Sequence, residues 1–460
     1  MSKTIDFFNE ISKIPRESGN EENISNYLCK FAEERSLYYE KDRYNNVIIK
    51  KKNSNKAPII LQAHMDMVCE KGADKEFDFG NDSIEVIEEN GYLRANGTTL
   101  GADNGIGVAQ ILNILDDSTI ECNIEAVFTV EEETTMIGAE HIDVSSLEAK
   151  QLINLDGFEE NTITIGSASF FDILLKCSYD FESIFNEESN VYKVSLKGLF
   201  GGHSGFDINK ERGNSSIVLA ELLKQVENIE LIDFVGGTKF NVIPSSAECI
   251  FVTRMGYSEV KKIVENFVDG QREIYNGIEI FVEEFSVDKD IQILDTLSSR
   301  IFIESVLNFR HGVFKKNTRN EVIASINLGV VDLRNQVIKI GMRSSSETEE
   351  KKCLEYIEQY ANDNGFEFMI LGSQPGFETD ENSELIVKLK RAFDNIEQVD
   401  VLDIKSVHIT VETGFFKEKI NGLDVAIISP KILGAHTVNE CVSIDSVEKC
   451  DRWLKEFLLN

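Results

Sequence analysis

The chain has 460 residues, 47 of them basic and 80 acidic, for a formal net charge of −33, with 42% hydrophobic residues and five prolines. So acidic a surface repels phosphate backbones and anionic lipid, which sets nucleic acid and membranes aside as partners. The hydrophobic content and the lack of low-complexity tracts set aside a disordered chain, and the length predicts two domains rather than one core.

The opening MSKTIDFFNEISKIP mixes charged with apolar residues and lacks the apolar stretch of a signal peptide. No apolar run reaches the length of a membrane span. The eight cysteines form no CxxC pair, a pattern of reduced thiols in a cytoplasmic protein and an argument against a thiolate metal site. NEENISNYLCKFAEE sets Ile24, Leu28 and Phe31 at helical spacing. NVIIKKK and APIILQAH read as strands, the second apolar enough to be covered on both faces. GVAQILNILDD reads as a helix, and NIEAVFTV and KQLINLD as strands. This alternation predicts a layered α/β domain.

From about Tyr192 the alternation restarts on a smaller scale. VYKVSLKG is a strand, NSSIVLAELLKQVEN a helix, AECIFVTR a strand and SEVKKIVENFVDGQREIY a helix. VIKIGMRSS, the helix SETEEKKCLEYIEQYANDNG and the strand EFMIL complete a separate α+β domain, which ends near the polar stretch GSQPGFETDENS. LIVKLKRAFDNI through GLDVAIISPKI returns to helix and buried strand. The predicted organisation is a first domain over 1–187 and 374–460, with 188–373 inserted.

The polar residues with chemistry to offer gather at strand ends. His64 and Asp66 follow IILQA, Glu132 and Glu133 follow AVFTV, and Asp156 ends LINL. His436 lies a few residues past VAIIS, and Asp103 sits in the loop TTLGADNGIG. Ligands of open α/β sheets bind outside the carboxyl ends of the strands. Carboxylates and imidazoles on one such edge call for a cation to offset their repulsion. Two histidines with several carboxylates and no cysteine suit Zn²⁺, Mn²⁺ or Co²⁺, and suffice for two ions roughly 4 Å apart. A phosphate cradle would not carry Asp103, so the glycines of its loop are read as permitting a tight turn that presents Asp103 to metal rather than to phosphate.

QAHMDMV, TTLGADNGIG, TVEEET, NLDG and GAHTVNE, in that order and approximate spacing, resemble the co-catalytic zinc metallopeptidases, the family of carnosinase and the acylases. The resemblance spans nearly the whole chain, including GGHSGFDI and HITVETGFFKEKINGLD. It implies a mixed-sheet, phosphorylase/hydrolase-like α/β catalytic domain with an inserted α+β lid domain, and a cytoplasmic homodimer formed through that lid. The implied reaction is hydrolysis of small peptides, namely dipeptides with a free N-terminus, Xaa-His among them. Hydroxide held by two divalent ions would attack the carbonyl, with zinc expected first and manganese or cobalt as alternatives. His64 would bind one metal with Asp66 orienting its ring, and Asp103 would bridge both. Glu133 and Asp156 would complete one ion each, with His436 on the second, and Glu132 would be the general base. The run Glu131–Glu132–Glu133 leaves the register open, since Glu131 and Glu132 could be the functional pair; the following TTMIGA favours Glu132 and Glu133. From the lid, His203 would stabilise the oxyanion, and Asn241 and Arg343 would hold the oxyanion or the substrate carboxylate. Glu412 would receive the free ammonium. His141, His311 and His408 are read as structural. Thr135 and Val438 depart from the family's usual Gly and Pro, which bears on loop shape alone. Two other readings remain: an N-acyl amino-acid hydrolase on the same site, and a non-catalytic metal or peptide binder, which the presence of Glu132 disfavours.

Overall fold

A computed structural model describes residues 2–182, 189–288, 291–397 and 399–460. The chain divides into two compact units: Met1–Ser167, Gly376–Val407 and Val411–Asn460 form the first, and Ala168–Pro375 with His408–Thr410 the second.

Among the described residues the first unit is built on a mixed nine-stranded sheet. Near its centre Ile59–His64 lies parallel between Ile124–Thr129 and Gln151–Asn154, and Asp424–Ile427 runs parallel to Gln151–Asn154 on its far side. Ile59–His64 and Ile124–Thr129 are buried at every position, as strands covered on both faces must be. The cover comes from amphipathic helices, among them Lys3–Ile11, Glu22–Glu34, Glu384–Ile396 and Ile444–Leu459, whose apolar residues (Phe8, Leu28, Leu389, Leu454) join the core cluster. Trp453 anchors the last helix: its indole N–H donates to the Leu389 carbonyl at 2.9 Å, and its ring meets Phe393 edge-on. A large ring buried with its one polar atom satisfied stabilises this helix pair strongly.

Two features of topology position the functional residues. The parallel register aligns His64 with Thr129 and Gln62 with Asn154, so three neighbouring strands release the chain at one edge of the sheet. A small antiparallel sheet then joins Ile432–Leu433, Cys441–Ser443, Tyr92–Ala95 and Val86–Glu89, with Cys441 opposite Arg94. It brings the segment 434–440 beside 96–103.

The second unit is α+β. Its nine-stranded sheet is antiparallel in every pairing among the described residues. The helices Ser215–Leu223, Tyr257–Gln271, Thr296–Asn308 and Glu347–Asp363 contribute Leu219, Val264, Phe302 and Ile357 to a separate core. The chain enters this unit with the strand Ser169–Lys176, which pairs with both Val337–Ser344 and Glu367–Gln374. No helix among the described residues is long and apolar enough to cross a membrane.

Candidate metal centre and active site

His64 ends its strand with its ring buried. Its Nδ1 lies 3.2 Å from Asp66 Oδ1, and its Nε2 lies 3.2 Å from Asp103 Oδ1 and 3.7 Å from Asp156 Oδ1. The other oxygen of Asp103, Oδ2, is 3.0 Å from His436 Nε2, which is also 3.0 Å from Glu133 Oε2. Asp103 therefore stands between two imidazoles with one oxygen toward each. Ligand atoms of His64, Asp103 and Asp156 lie within 4.8 Å of one another, as do those of Asp103, Glu133 and His436, and those of His64, Glu132 and Glu133.

The loop carrying Asp103 is shaped before its helix becomes regular. Asp103 and Asn104 depart from helical dihedrals, the peptide between them is cis, and Gly101 has a left-handed φ of 68°. Its glycines do more than turn the chain. A Cβ at Gly105 would lie 2.5 Å from Arg16 Nη2, and one at Gly107 would lie 2.5 Å from Asn104 Oδ1. His436 also has a left-handed φ, 62°. A non-glycine residue there costs about 1–3 kcal/mol and is held only by its surroundings, here a turn in which Thr437 Oγ1 donates to the Gly434 carbonyl at 2.7 Å.

Asp66 links the imidazole to the glutamate turn. Besides facing His64, it accepts the Glu132 N–H on Oδ1 at 3.1 Å, and the Glu133 N–H and the Ser18 hydroxyl on Oδ2 at 3.2 and 2.7 Å. Glu131 stays outside the three ligand groups among the described residues. Its carboxylate accepts from Thr135 at 3.1 Å and its N–H donates to Glu21 at 3.0 Å.

Charge in this pocket is tightly balanced. Burial favours the neutral form of Asp103, yet hydrogen bonds and attraction from His436 and His64 hold its carboxyl below the usual range. Burial likewise opposes protonation of His64, but Asp156, Asp103 and Asp66 raise it well above an ordinary imidazole. Hydrogen bonds to Asp103 and Glu133 raise His436 to about 10. Glu132, Glu133 and Asp156 are pushed upward, first by burial. These carboxylates can ionise together only against positive charge, and Glu133 Oε1 is buried with no hydrogen-bond partner. Two imidazoles, four surrounding carboxylates and a fifth shared between the halves fit a pair of divalent cations of borderline hardness.

Glu412 is fully buried beneath this edge. Its Oε1 accepts from Gln62 Nε2 at 2.5 Å, its Oε2 has no partner, and burial raises it to about 7. Gln62 accepts from Asn154 Nδ2 at 2.5 Å, and Asn154 Oδ1 accepts the Asp156 N–H at 2.8 Å. Glu412 thus reaches Asp156 through a chain of amides and is absent from the three ligand groups.

Within the second unit, His203, Asn241 and Arg343 come together. His203 pairs with Val242, the Ser204 N–H donates to the Asn241 carbonyl at 2.9 Å, and Arg343 Nε donates to Ser204 Oγ at 3.3 Å. Arg343 also donates to Thr410 Oγ1 at 2.9 Å and lies over the Phe170 ring. His203 Nδ1 accepts the Gly205 N–H at 3.1 Å, which fixes its proton on Nε2 when the ring is neutral. Burial, then Arg343, lowers its pKa to about 4. His408 faces Ser325 Oγ at 2.7 Å, His311 accepts the Leu328 N–H, and His141 packs on Tyr44.

Sequence reasoning passed over two buried charges. Arg16, 2% exposed, donates to the carbonyls of Met65 at 3.0 Å, Asp66 at 3.2 Å and Gly101 at 2.5 Å. Glu440, 3% exposed, accepts the N–H groups of Leu100, Gly101 and Asp103 at 2.8, 2.9 and 3.2 Å. The signal for Glu440 was its place four residues after His436. For Arg16 no local signal exists, because an arginine between Pro15 and Glu17 reads as exposed.

The sequence profile of peptidase family M20/M25/M40 matches residues 60–460. The chain belongs to this family. It is a peptide hydrolase, and both the family resemblance and the mixed-sheet α/β fold read from the sequence are borne out. This M20 peptidase is 31% identical over 461 residues to the cytosol non-specific dipeptidase of Escherichia coli K12, covering 96% of this chain and 94% of that one. The crystal structure of the aminoacylhistidine dipeptidase from Vibrio alginolyticus matches with a TM-score of 0.86 at 28% identity, covering 99% of this chain and 96% of that one. The aminopeptidase PepT from Bacillus cereus shares the fold at a TM-score of 0.57 and 15% identity, with 99% and 97% of the two chains covered.

Proposed function

We propose that the chain hydrolyses dipeptides with a free N-terminus, Xaa-His among them, with two divalent ions, zinc first and manganese or cobalt as alternatives. The observation that carries this reading is Asp103, with one carboxylate oxygen toward His64 and the other toward His436. Similarity to the dipeptidases of E. coli and V. alginolyticus directs it to dipeptides. His64, Asp103 and Asp156 would hold one ion, and His436, Asp103 and Glu133 the other. When bound, the ions act as Lewis acids, polarising the scissile carbonyl and lowering the pKa of water.

Glu132 is the general base. Its carboxylate takes a proton from water as the water oxygen bonds to the carbonyl carbon, and passes that proton to the leaving nitrogen as the C–N bond breaks, which yields two amino acids. Asp66 accepts from His64 Nδ1 and so keeps Nε2 turned toward Asp103. His203, neutral with its proton on Nε2, donates to the developing oxyanion. Asn241 and Arg343 hold the oxyanion or the substrate carboxylate, the guanidinium being suited to two parallel bonds. Glu412 is assigned to the substrate ammonium. The inserted α+β unit serves as lid and as the homodimer contact of a cytoplasmic enzyme.

The test is a panel of dipeptides, tripeptides and N-acetyl amino acids incubated with Mn²⁺- or Zn²⁺-loaded protein. Cleavage of dipeptides and loss of cleavage on acetylating their amine are expected. Preference for the N-acetyl amino acids would replace dipeptidase with deacylase, and uptake of metal without turnover of any dipeptide would overturn the reading.

A further inference from the structure

The segment 16–21 lies ahead of the region matched by the family profile, which begins at residue 60. Three of its side chains nevertheless reach the loops that carry the candidate ligands. Arg16 donates to the Met65 and Asp66 carbonyls on one loop and to the Gly101 carbonyl on another. Ser18 Oγ donates to Asp66 Oδ2 at 2.7 Å. Glu21 Oε1 accepts the N–H groups of Gly19 at 2.9 Å and Glu131 at 3.0 Å, and Glu131 takes a left-handed φ of 51°. The backbone is tied in as well, since the Met67 N–H donates to the Arg16 carbonyl at 3.1 Å.

We propose that residues 16–21 are a positioning strap that fixes the Asp66, Asp103 and Glu132–Glu133 segments against one another and so sets the affinity for divalent ions. The proposal rests on the metal reading of the site given above. A planar guanidinium with its donors in a rigid fork can hold carbonyls of two loops at a fixed spacing, which a flexible ammonium cannot. Burying that charge is unfavourable unless its hydrogen bonds are made. The Asp103 loop has room for it because Gly101 and Gly105 lack the Cβ atoms that would overlap Arg16 Nη2. Gly101 is held on both sides, its carbonyl by Arg16 and its N–H by Glu440. Ser18 occupies one oxygen of Asp66, leaving Oδ1 to face His64 and the Glu132 N–H. Carboxylates and donors that orient metal ligands govern affinity without touching the ion.

The test uses the full chain with Ser18→Ala, Ser18→Thr and Arg16→Gln. Mn²⁺ affinity is measured by calorimetry, the visible spectrum with Co²⁺ bound, and the unfolding midpoint after chelation. Ser18→Ala and Arg16→Gln are expected to bind about 10–100-fold more weakly with altered cobalt bands, and Ser18→Thr to return to within about threefold of wild type. Should Arg16→Gln fail to fold, the serine pair decides. Thr4→Ala removes a buried 2.7 Å hydrogen bond to Asp451 elsewhere in the same unit and is expected to lower the midpoint with affinity unchanged. Wild-type affinity in Ser18→Ala, or equal weakening in Thr4→Ala, would overturn the strap while leaving wild-type metal binding intact. A wild-type protein that takes up no divalent ion would instead overturn the metal reading, and the strap with it.

Discussion

Glu131 turns its carboxylate to Thr135, while Glu132 and Glu133 share reach with His64. That contrast makes the acid run a direct test of mechanism. Glu132→Gln is expected to lower kcat by about 10²–10⁴-fold with divalent-ion affinity kept in calorimetry, and Glu131→Gln to stay near wild type. A larger loss from Glu131→Gln would move the base by one residue. A second residue is read through pH. Burial raises Asp451 from 3.8 to about 6, with Thr4 and Gln110 donating to its two oxygens. The folded protein therefore binds this proton more tightly than the unfolded chain does. Stability from this group is fully present below about pH 4 and is lost as pH rises to about 6, a fall of about 3 kcal/mol. Asp451→Asn should flatten that part of the profile in urea titrations of chelated protein at about pH 4.5 and about pH 7. A variant with the wild-type slope would show that the group titrates normally.

At the scale of elements, the helix Ala102–Asp116 carries a reversal of an ordinary rule. Replacing a helical glycine by alanine normally gains up to about 1 kcal/mol. At Gly105 the new methyl would meet Arg16 Nη2 at 2.5 Å and Phe8 at 3.1 Å, so Gly105→Ala is expected to lose stability by about 1–3 kcal/mol in denaturant unfolding. A stabilised variant would show that Arg16 does not fill that space. The same helix shows what sequence can disclose. The parallel strands were legible because each is short with an apolar centre, and the candidate ligands were legible because they follow those runs within a few residues. The glycines of the Asp103 loop were read as turn formers, whereas the contact with Arg16 explains two of them and lies about ninety positions upstream. The sheet that seats His436 beside Asp103 was equally hidden. Tyr92–Ala95 and Cys441–Ser443 are short and of mixed polarity, and nothing local says that Arg94 faces Cys441. Arg16 and Glu440 are buried charges whose partners are backbone groups, and backbone groups leave no trace in composition.

Among the described residues each unit has a large core of its own, and the candidate metal centre belongs entirely to the first. Removing divalent ions leaves its carboxylates to repel one another, while an ion at a thousandfold excess over its Kd stabilises by about 4 kcal/mol. Calorimetry of chelated protein is therefore expected to resolve two transitions, with added Mn²⁺ raising one and leaving the other in place. Equal movement of both would mean that the units unfold together. The charge of −33 adds self-repulsion that salt screens, so the comparison holds at one ionic strength.

The first unit is interrupted: Met1–Ser167 waits for Gly376–Val407 and Val411–Asn460, with the second unit between them. On the ribosome, His64, Asp103, Glu133 and Asp156 emerge long before His436 exists. The inserted unit has its own core and can close first, whereas the contact joining Asp103 to His436 forms only after the second unit has been made. Ion capture at that half of the proposed centre would therefore have to wait until the second unit has been made. Until then its buried acids and strand ends are the surfaces that a nascent chain must keep from wrong partners.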